Sequence, residues 1–304
     1  MDSSLSLPAF AKINLGLRVL GRRADGYHDL DTIFQTISLH DTIEVAVTGG
    51  SGILLSCDDR RLPSGAENLI VRAARALQDR FGARKGARIR LAKRIPTEAG
   101  LGGGSSDAAT TLLALAHLWE LAADKQELCD LAAKLGADVP FFLCGGTARG
   151  SATGKDLTPL PDVPEKFLLI VKPNASISTA DAYQALDRRS LTTRNSKTIL
   201  SSSVATVVFD SAGFASREND FASVAFELEP EIARAKAALI DVGAPVTMLA
   251  GSGSAVFAVF DSEDAPRRAI QAIELETGWR VFPCKMVGRE QYRSAFGELR
   301  RFLT

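Results

Sequence analysis

A cluster of glycines between two regular segments limits this chain more than any other feature of its sequence. Gly100, Gly102, Gly103 and Gly104 follow a stretch typical of a strand and precede a stretch typical of a helix. Glycine permits positive φ and close backbone approach to a ligand, and the first turn of a helix presents unpaired N–H donors with partial positive charge. The junction therefore predicts a polyphosphate site. Its residues are Pro96, Thr97, Glu98, Ala99, Gly100, Leu101, Gly102, Gly103, Gly104, Ser105 and Ser106.

A flexible turn capped by serine is the simpler interpretation of this segment. In the phosphate interpretation, Ser105 and Ser106 cap the helix or contact phosphate and magnesium. Three known phosphate motifs do not fit. No lysine follows the glycines, as a P-loop requires, and Ser105 stands where the dinucleotide fingerprint has its last glycine. The protein-kinase strings H-R-D and D-F-G are missing from the sequence.

The order of predicted elements favours an α+β protein of two domains. Periodicity predicts strands at residues 11–19, 42–47, 88–95, 167–171, 246–249, 255–260 and 279–287, and helices at 68–81, 106–122, 124–135, 230–240 and 264–276. A composition shift at 145–164 places the domain boundary between residues 155 and 156, giving domains 1–155 and 156–304. Residues 188–203 are predicted to be a loose polar insertion, and 300–304 a tail.

Composition excludes several classes of protein. The formal net charge of zero shows no footprint for nucleic acid. We expect no membrane span, because the apolar runs are short, and no signal peptide. Four cysteines without metal or redox spacing indicate a reducing, cytoplasmic compartment. Three scattered histidines predict no zinc site.

Three motifs in the same order resemble those of the GHMP small-molecule kinases. The glycine segment is similar to their second motif, P-x-x-x-G-L-G-x-x-S-S. Residues 11–15 (AKINL) resemble the first motif, and residues 249–255 (LAGSGSA) the third. The resemblance spans nearly the whole chain. It implies the two-domain GHMP kinase fold, with ATP bound at the glycine segment and the active site in the interdomain cleft.

Two further segments resemble one family among these kinases. Residues 22–28 (RRADGYH) and 135–141 (LGADVPF) are similar to signatures of 4-diphosphocytidyl-2-C-methyl-D-erythritol kinase. That resemblance implies transfer of phosphate from ATP, with Mg²⁺, to the 2-hydroxyl of CDP-methylerythritol in non-mevalonate isoprenoid biosynthesis. A mevalonate or homoserine kinase, and a GHMP-like sensor without chemistry, are the alternatives.

The resemblance assigns catalysis to Lys12 and Asp138. Asp138 lies between a helix end and Pro140, where by its position alone it would cap a turn; the resemblance makes it the general base. Lys12 lies in an apolar strand, and lysine is seldom buried without a partner. The resemblance pairs it with Asp138. Asn14 shares the strand face of Lys12 and is expected to hold the substrate diol.

Substrate recognition is expected from aromatic residues near the first domain's start and in the second domain. By resemblance, Tyr27 and Tyr183 sandwich the cytosine and His28 contacts its edge. Thr179 is a weaker candidate for contact with hydroxyl groups. A second glycine turn is expected to approach the substrate phosphates, although a plain hairpin turn explains it too. Its residues are Gly251, Ser252 and Gly253.

Charged residues beside the glycine segment leave two questions. Glu98 is an anion next to a predicted triphosphate site, which is unfavourable unless its carboxylate points away. Lys93 and Arg94 precede the segment and either contact phosphate or lie on a solvated strand end.

Overall fold

A mixed sheet, in which only the third and fourth strands pair in parallel, and a smaller antiparallel sheet divide the chain into a larger first part and a smaller second part. The computed structural model describes residues 4–154, 156–192, 218–273 and 278–304. The predicted polar insertion therefore lies largely outside the described residues, and so does the predicted end of the helix at 264–276. In the first sheet the order is β3-β4-β2-β5-β6, and β1 pairs with β2. These strands are β1 (Ser4–Arg22), β2 (His28–Thr48), β3 (Ile53–Cys57), β4 (Gly86–Ala92), β5 (Thr147–Ser151) and β6 (Asp156–Pro159).

The long β1–β2 hairpin is irregular at three places. Its register shifts between Phe10 and Ala11, between Asn14 and Leu17, and between Val19 and Gly21. A bulge of this kind adds a residue to one strand and bends it. The first half of β2 was not predicted from sequence; the predicted strand at 42–47 is its second half.

Helices cover one face of the first sheet. The bounds predicted for the first and third agree with the structure to within one residue, whereas the second was predicted at 106–122 and lies at 103–118. Asn68 caps the first helix through its side chain, and Gly82 ends it with φ of 64°. Asp124 and Glu127 form a capping box at the start of the third. These helices are α1 (Leu69–Phe81), α2 (Gly103–Leu118), α3 (Lys125–Leu135) and the short α4 (Phe141–Cys144). α2 packs against β1, β2, α1 and α3, and most of its residues are buried.

The second sheet has the strand order β10-β7-β9-β8 and helices on one side. Its strands are β7 (Phe167–Lys172), β8 (Val246–Leu249), β9 (Val256–Phe260) and β10 (Arg280–Lys285). Its helices are α5 (Thr179–Thr192), α6 (Ala222–Leu228), α7 (Pro230–Asp241) and α8 (Asp264–Ile273). The predicted strand pair after α7 is confirmed as an antiparallel hairpin, with Met248 opposite Phe257.

One hydrophobic cluster joins the two sheets. It brings Ile13 of β1 together with Phe257 of β9, and it includes Ala99 and Leu101 from the glycine segment. These residues are at most 1% exposed. The glycine segment therefore lies at the junction of the two sheets.

The last described residues return to the first core. α9 (Arg289–Ser294) and a 3-10 helix (Gly297–Phe302) carry Tyr292, Phe296 and Leu303 into the cluster beneath the first sheet. The prediction of a tail at 300–304 is therefore wrong: Arg300 and Arg301 lie outside, while Phe302 and Leu303 are buried. The domain boundary at 155/156 stays a prediction.

Candidate active site

The glycine segment is held rigidly at the start of α2. Gly102 is the N-cap residue, with φ of 71°, and no side chain caps the helix. A Cβ at Gly102 would lie 2.8 Å from the Phe142 ring and 3.0 Å from Lys12 Cγ, so only glycine fits here. The Lys12 N–H donates to Leu101 O at 3.0 Å. The expectation that a serine caps this turn is therefore wrong.

The second glycine turn packs directly on the first. A Cβ on Gly100 would lie 1.8 Å from Ala250 O, and one on Gly253 would lie 2.1 Å from Gly100 N. The N–H of Ser254 donates to Glu98 O at 3.2 Å. The Asn219 side chain fixes the turn from the other side, donating to Gly251 O at 2.7 Å. The two motifs thus form one continuous backbone surface.

Lys12 and Asp138 come together beside this surface. Lys12 Nζ lies 3.4 Å from Asp138 Oδ2, and the two side chains are 5% and 34% exposed. The ammonium also lies 5.4 Å from the centre of the Phe34 ring. A buried cation thus faces a carboxylate that remains open to a ligand.

Asn14 connects Lys12 to the neighbouring strand. Lys12 Nζ donates to Asn14 Oδ1 at 2.8 Å, which confirms that both side chains share one face. Asn14 Nδ2 donates to Thr32 Oγ1 at 2.7 Å, and the Thr32 hydroxyl donates to Gly16 O at 2.7 Å. Asn14 and Thr32 are 1% and 2% exposed.

A second buried lysine lies beneath the glycine segment. Lys93 Nζ donates to Asp107 Oδ2 at 2.9 Å and also to Asp41. The three side chains are at most 7% exposed, so the expectation of a solvated Lys93 is wrong. Burial raises the pKa of Asp107 well above its ordinary value. The pKa of Lys93 is also raised, because Asp107 and Asp41 outweigh the opposing effect of burial.

A cleft of about 280 Å³ opens on the glycine segment. Leu62, Leu69 and Leu91 give it an apolar side, and the glycines form its floor. Ser106 Oγ and Asp107 Oδ1 are buried at this end of α2 without a hydrogen-bond partner among the described residues. An orphaned oxygen at a helix start is suited to a ligand or ion.

Glu98 turns its carboxylate towards the second part of the chain. Its side chain accepts a hydrogen bond from Ser176 Oγ. Its backbone has φ of 53°, in the left-handed region. The strained conformation thus coincides with a carboxylate that is engaged by Ser176.

The predicted cytosine-binding residues are only partly assembled. The rings of His28 and Tyr183 stack at 4.7 Å with an angle of 26°, and His28 Nε2 lies 2.7 Å from Asp187 Oδ1. Tyr27 is 68% exposed, so the described residues show no sandwich with Tyr183. Burial, with the Asp138 charge, raises the pKa of Tyr183 to about 12. Thr179 accepts from Ser252 Oγ at 3.3 Å.

Sequence reasoning missed Thr32, Asp41 and Asp187. Each is polar within a β-strand or helix and belongs to no short motif. A usable signal exists for Asp41 alone: an acidic residue next to the apolar 42–47 strand requires a buried cation if it faces inward. Thr32 and Asp187 find their partners only through pairing of distant segments.

Two further features are missing from the part of the chain that the structure describes. No group of three or more metal-binding side chains occurs there. None of the described helices is long and apolar enough to cross a membrane.

Two family models match the chain. The model "GHMP kinases N terminal domain" matches residues 68–146, and "GHMP kinases C terminal" matches 209–277. The matches fall in the first and second parts of the fold, and the first includes the glycine segment and Asp138.

Curated relatives match over most of their length. A 4-diphosphocytidyl-2-C-methyl-D-erythritol kinase of Solibacter usitatus is 44% identical over 291 residues, which is 95% of this chain and 90% of that protein. The protein of the same name from a Geobacter species is 42% identical over 275 residues, covering 90% of this chain and 96% of that protein.

Solved structures agree with the fold described above. A crystal structure of 4-(cytidine 5'-diphospho)-2C-methyl-D-erythritol kinase superposes with a TM-score of 0.77 and 35% identity, over 93% of this chain and 100% of the other. The Methanococcus jannaschii mevalonate kinase superposes with a TM-score of 0.67 at 16% identity, over 95% and 99% of the two chains, and shows the fold alone.

Proposed function

The chain belongs to the 4-diphosphocytidyl-2-C-methyl-D-erythritol kinase family of the GHMP kinases, and we propose that it carries out that family's reaction with Lys12 and Asp138 as the catalytic pair. It is a small-molecule kinase with the two-domain α+β GHMP fold. Its substrates are ATP and 4-diphosphocytidyl-2-C-methyl-D-erythritol (CDP-methylerythritol). One observation carries the assignment of the pair: the Lys12–Asp138 contact lies beside Gly102, where α2 begins.

Asp138 is the general base of this proposal. Its carboxylate is one-third exposed and thus accessible to a substrate hydroxyl. As the 2-hydroxyl oxygen attacks the γ-phosphorus of ATP, Asp138 accepts the hydroxyl proton and ADP leaves. The short α4 and Gly136 hold the backbone on either side of Asp138, which fixes the position of the base.

Lys12 stabilises negative charge during the transfer. Its ammonium has three donors. One binds Asn14, a second faces Asp138, and the third is left for an oxygen of the transferring phosphoryl group. A buried, preorganised donor is worth more here than in water.

The nucleotide occupies the apolar cleft with its phosphates on the glycine segment. The binding residues are the eleven from Pro96 to Ser106 named above. Glu98 does not oppose the triphosphate, because Ser176 holds its carboxylate. Ser106 Oγ, which lacks a partner among the described residues, fits a Mg²⁺ ligand. When bound, the ion neutralises charge on the phosphates.

Tyr27, His28 and Tyr183 recognise the cytosine in this proposal. Tyr183 is already fixed by an edge contact with Phe221 at 4.8 Å. A cytosine that stacks on the His28 side of Tyr183 replaces the imidazole ring. Asn14, Thr179 and the turn from Gly251 to Gly253 then contact the methylerythritol and its phosphates. The free cysteines at all four positions agree with a cytoplasmic enzyme.

A product assay tests the proposal. The purified protein is incubated with Mg²⁺-ATP and CDP-methylerythritol, mevalonate or homoserine, and products are followed by phosphorus NMR. We expect ADP and a new phosphomonoester signal with CDP-methylerythritol only. A phosphomonoester from mevalonate or homoserine would favour the alternative GHMP kinases, and a protein that binds but forms no product would be a sensor.

A further inference from the structure

Three side chains and one backbone carbonyl form a hydrogen-bonded chain that ends on the proposed catalytic lysine. In order, they are Lys12 Nζ, the Asn14 carboxamide, Thr32 Oγ1 and Gly16 O, with successive distances of 2.8, 2.7 and 2.7 Å. Lys12 is 4% exposed, and Asn14 and Thr32 are still less exposed. Water therefore has little access to the chain.

The direction of every bond in this chain is fixed by its two ends. A backbone carbonyl only accepts, so the Thr32 hydroxyl must donate its one hydrogen bond to Gly16 O. Thr32 Oγ1 can then only accept, and Asn14 must present Nδ2 to it. The Asn14 oxygen is thereby turned to Lys12, whose ammonium only donates. The requirements of both ends agree, so the amide has one satisfied orientation.

A β-bulge supplies the carbonyl that sets this direction. Asn14 pairs with Phe34 and Leu17 with Thr32, so Leu15 and Gly16 together face the single residue Ile33. A bulged residue is left unpaired in the ladder. Gly16 O thus becomes available to the Thr32 hydroxyl instead of a strand neighbour.

We propose that Thr32 is a positioning residue, which holds the Asn14 amide so that its oxygen orients the Lys12 ammonium toward Asp138 and the transferring phosphoryl group. This inference rests on the proposed function of Lys12. Thr32 itself touches no reacting atom; it acts through Asn14. Without its hydroxyl the amide loses the partner of Nδ2, and a rotated amide would face the ammonium with N–H groups.

Thr32→Val tests the role, because valine keeps the shape and burial of threonine but has no hydroxyl. We expect kcat to fall roughly 10- to 100-fold, because a rotated Asn14 amide loses its hydrogen bond to the charged Lys12, with the KM for ATP changed less than about 2-fold. Thr32→Ser should restore kcat to within about 3-fold of the wild-type value, because it returns the hydroxyl. Thr32→Ala serves if the valine variant does not fold, and each variant's unfolding midpoint is measured.

The matched control is Thr147→Val. Thr147 is also a buried threonine of the same sheet, and its hydroxyl donates to Gln35 Oε1 at 2.7 Å. That bond lies away from Lys12, so the control should lower the midpoint of unfolding and leave kcat within about 2-fold.

A double-mutant cycle separates positioning from general damage. In an Asn14→Ala background, Thr32→Val should lower kcat by less than about 2-fold, because the amide through which Thr32 acts is gone. An equal loss of kcat in both backgrounds, or an unchanged kcat in Thr32→Val alone, would overturn the inference. If the wild-type protein forms no product from CDP-methylerythritol, the proposed function is wrong and the role of Thr32 falls with it. If the wild type forms product but the variants give either result above, only the role of Thr32 is wrong.

Discussion

Two buried lysines lie against neighbouring glycines of the glycine segment, Lys12 against Gly102 and Lys93 against Gly103, and their surroundings differ. Lys93 binds two carboxylates that are at most 4% exposed, so its charge is more than compensated within the protein. Lys12 binds a neutral amide and faces a single carboxylate that is 34% exposed. Lys93 is thus engaged before any ligand arrives, whereas Lys12 retains a donor.

The difference matches the proposed division between a structural Lys93 and a catalytic Lys12. A buried ion pair contributes little net stability but is expensive to break. Around Lys93, the free-energy cost of breaking the buried ion pairs keeps the strand before the glycine segment in place against α2. Around Lys12 the incomplete pairing leaves attraction for an anionic group, such as a transferring phosphate. Four predictions, made with five substitutions, test this contrast.

Asp138→Asn should have the largest effect on the Lys12 side. Losing the general base is expected to lower turnover by roughly two to four orders of magnitude, while the unfolding midpoint stays close to that of the wild type. Steady-state kinetics and thermal unfolding measure the two effects. Asp130→Asn, on the exposed surface of α3, is the matched control. Near-normal turnover in Asp138→Asn would remove the base from the proposed mechanism.

Methionine at each lysine position compares the two sites directly. Lys93→Met leaves Asp41 and Asp107 buried without their cation, so we expect it to cost about 3–5 kcal/mol of unfolding free energy. Lys12→Met should cost on the order of 1 kcal/mol, because Asp138 remains accessible to water, and should lose most of the turnover. Denaturant unfolding measures the loss of stability in each variant, and steady-state kinetics measures the loss of turnover. Equal losses of stability would contradict the division into structural and catalytic lysines.

Asp107→Asn should reveal the strain of a surplus carboxylate beside Lys93. Burial raises the native-state pKa of Asp107 above its unfolded value. Its stabilising contribution is therefore fully present below the unfolded pKa and is lost as pH rises toward the native pKa. Relative to Asp107→Asn, the wild type should lose on the order of 1.4 kcal/mol per pH unit within that window. Urea unfolding of both proteins at several pH values measures this loss. If the unfolding free energies of the wild type and of Asp107→Asn changed equally with pH, the prediction would be contradicted.

Ser106→Ala should have the smallest effect on folding. Its hydroxyl is buried without a partner among the described residues, so its removal should change the unfolding free energy by less than about 0.5 kcal/mol. If the oxygen serves a metal–nucleotide complex, kcat/KM for Mg²⁺-ATP still falls. Unchanged kcat/KM would remove Ser106 from the nucleotide site. Thr111→Ala, also in α2, is the control, because its hydroxyl binds only Asp107 O among the described contacts.

Local signals predicted the elements whose ends are fixed by their own residues. Asn68 and Gly82 bound α1, and Asp124 with Glu127 begins α3, because these caps are made within a few positions of each other. The prediction of a tail at residues 300–304 failed for the opposite reason. Arg300 and Arg301 suggested solvent, but burial of Phe302 depends on a core built from residues far earlier in the sequence.

In the candidate site, too, features set by neighbouring residues were predicted and features set by distant residues were not. The position of Lys12 next to Asn14 followed from strand periodicity, and the glycine segment followed from its junction with α2. The contact with Asp138 required the family resemblance, since 126 positions separate it from Lys12. Thr32 could not be found because strand register, including the bulge at Gly16, decides which polar side chains meet.

The return of the last helices to the first core has a consequence for synthesis. Tyr292 donates from its hydroxyl to Phe142 O, and the N–H of Thr304 donates to Leu143 O at 2.8 Å. Both acceptors belong to α4, which follows Asp138. A nascent chain that has emerged only as far as β10 has both sheets but lacks these bonds. The helix that follows the proposed base therefore reaches its final packing only after translation has passed through the second sheet.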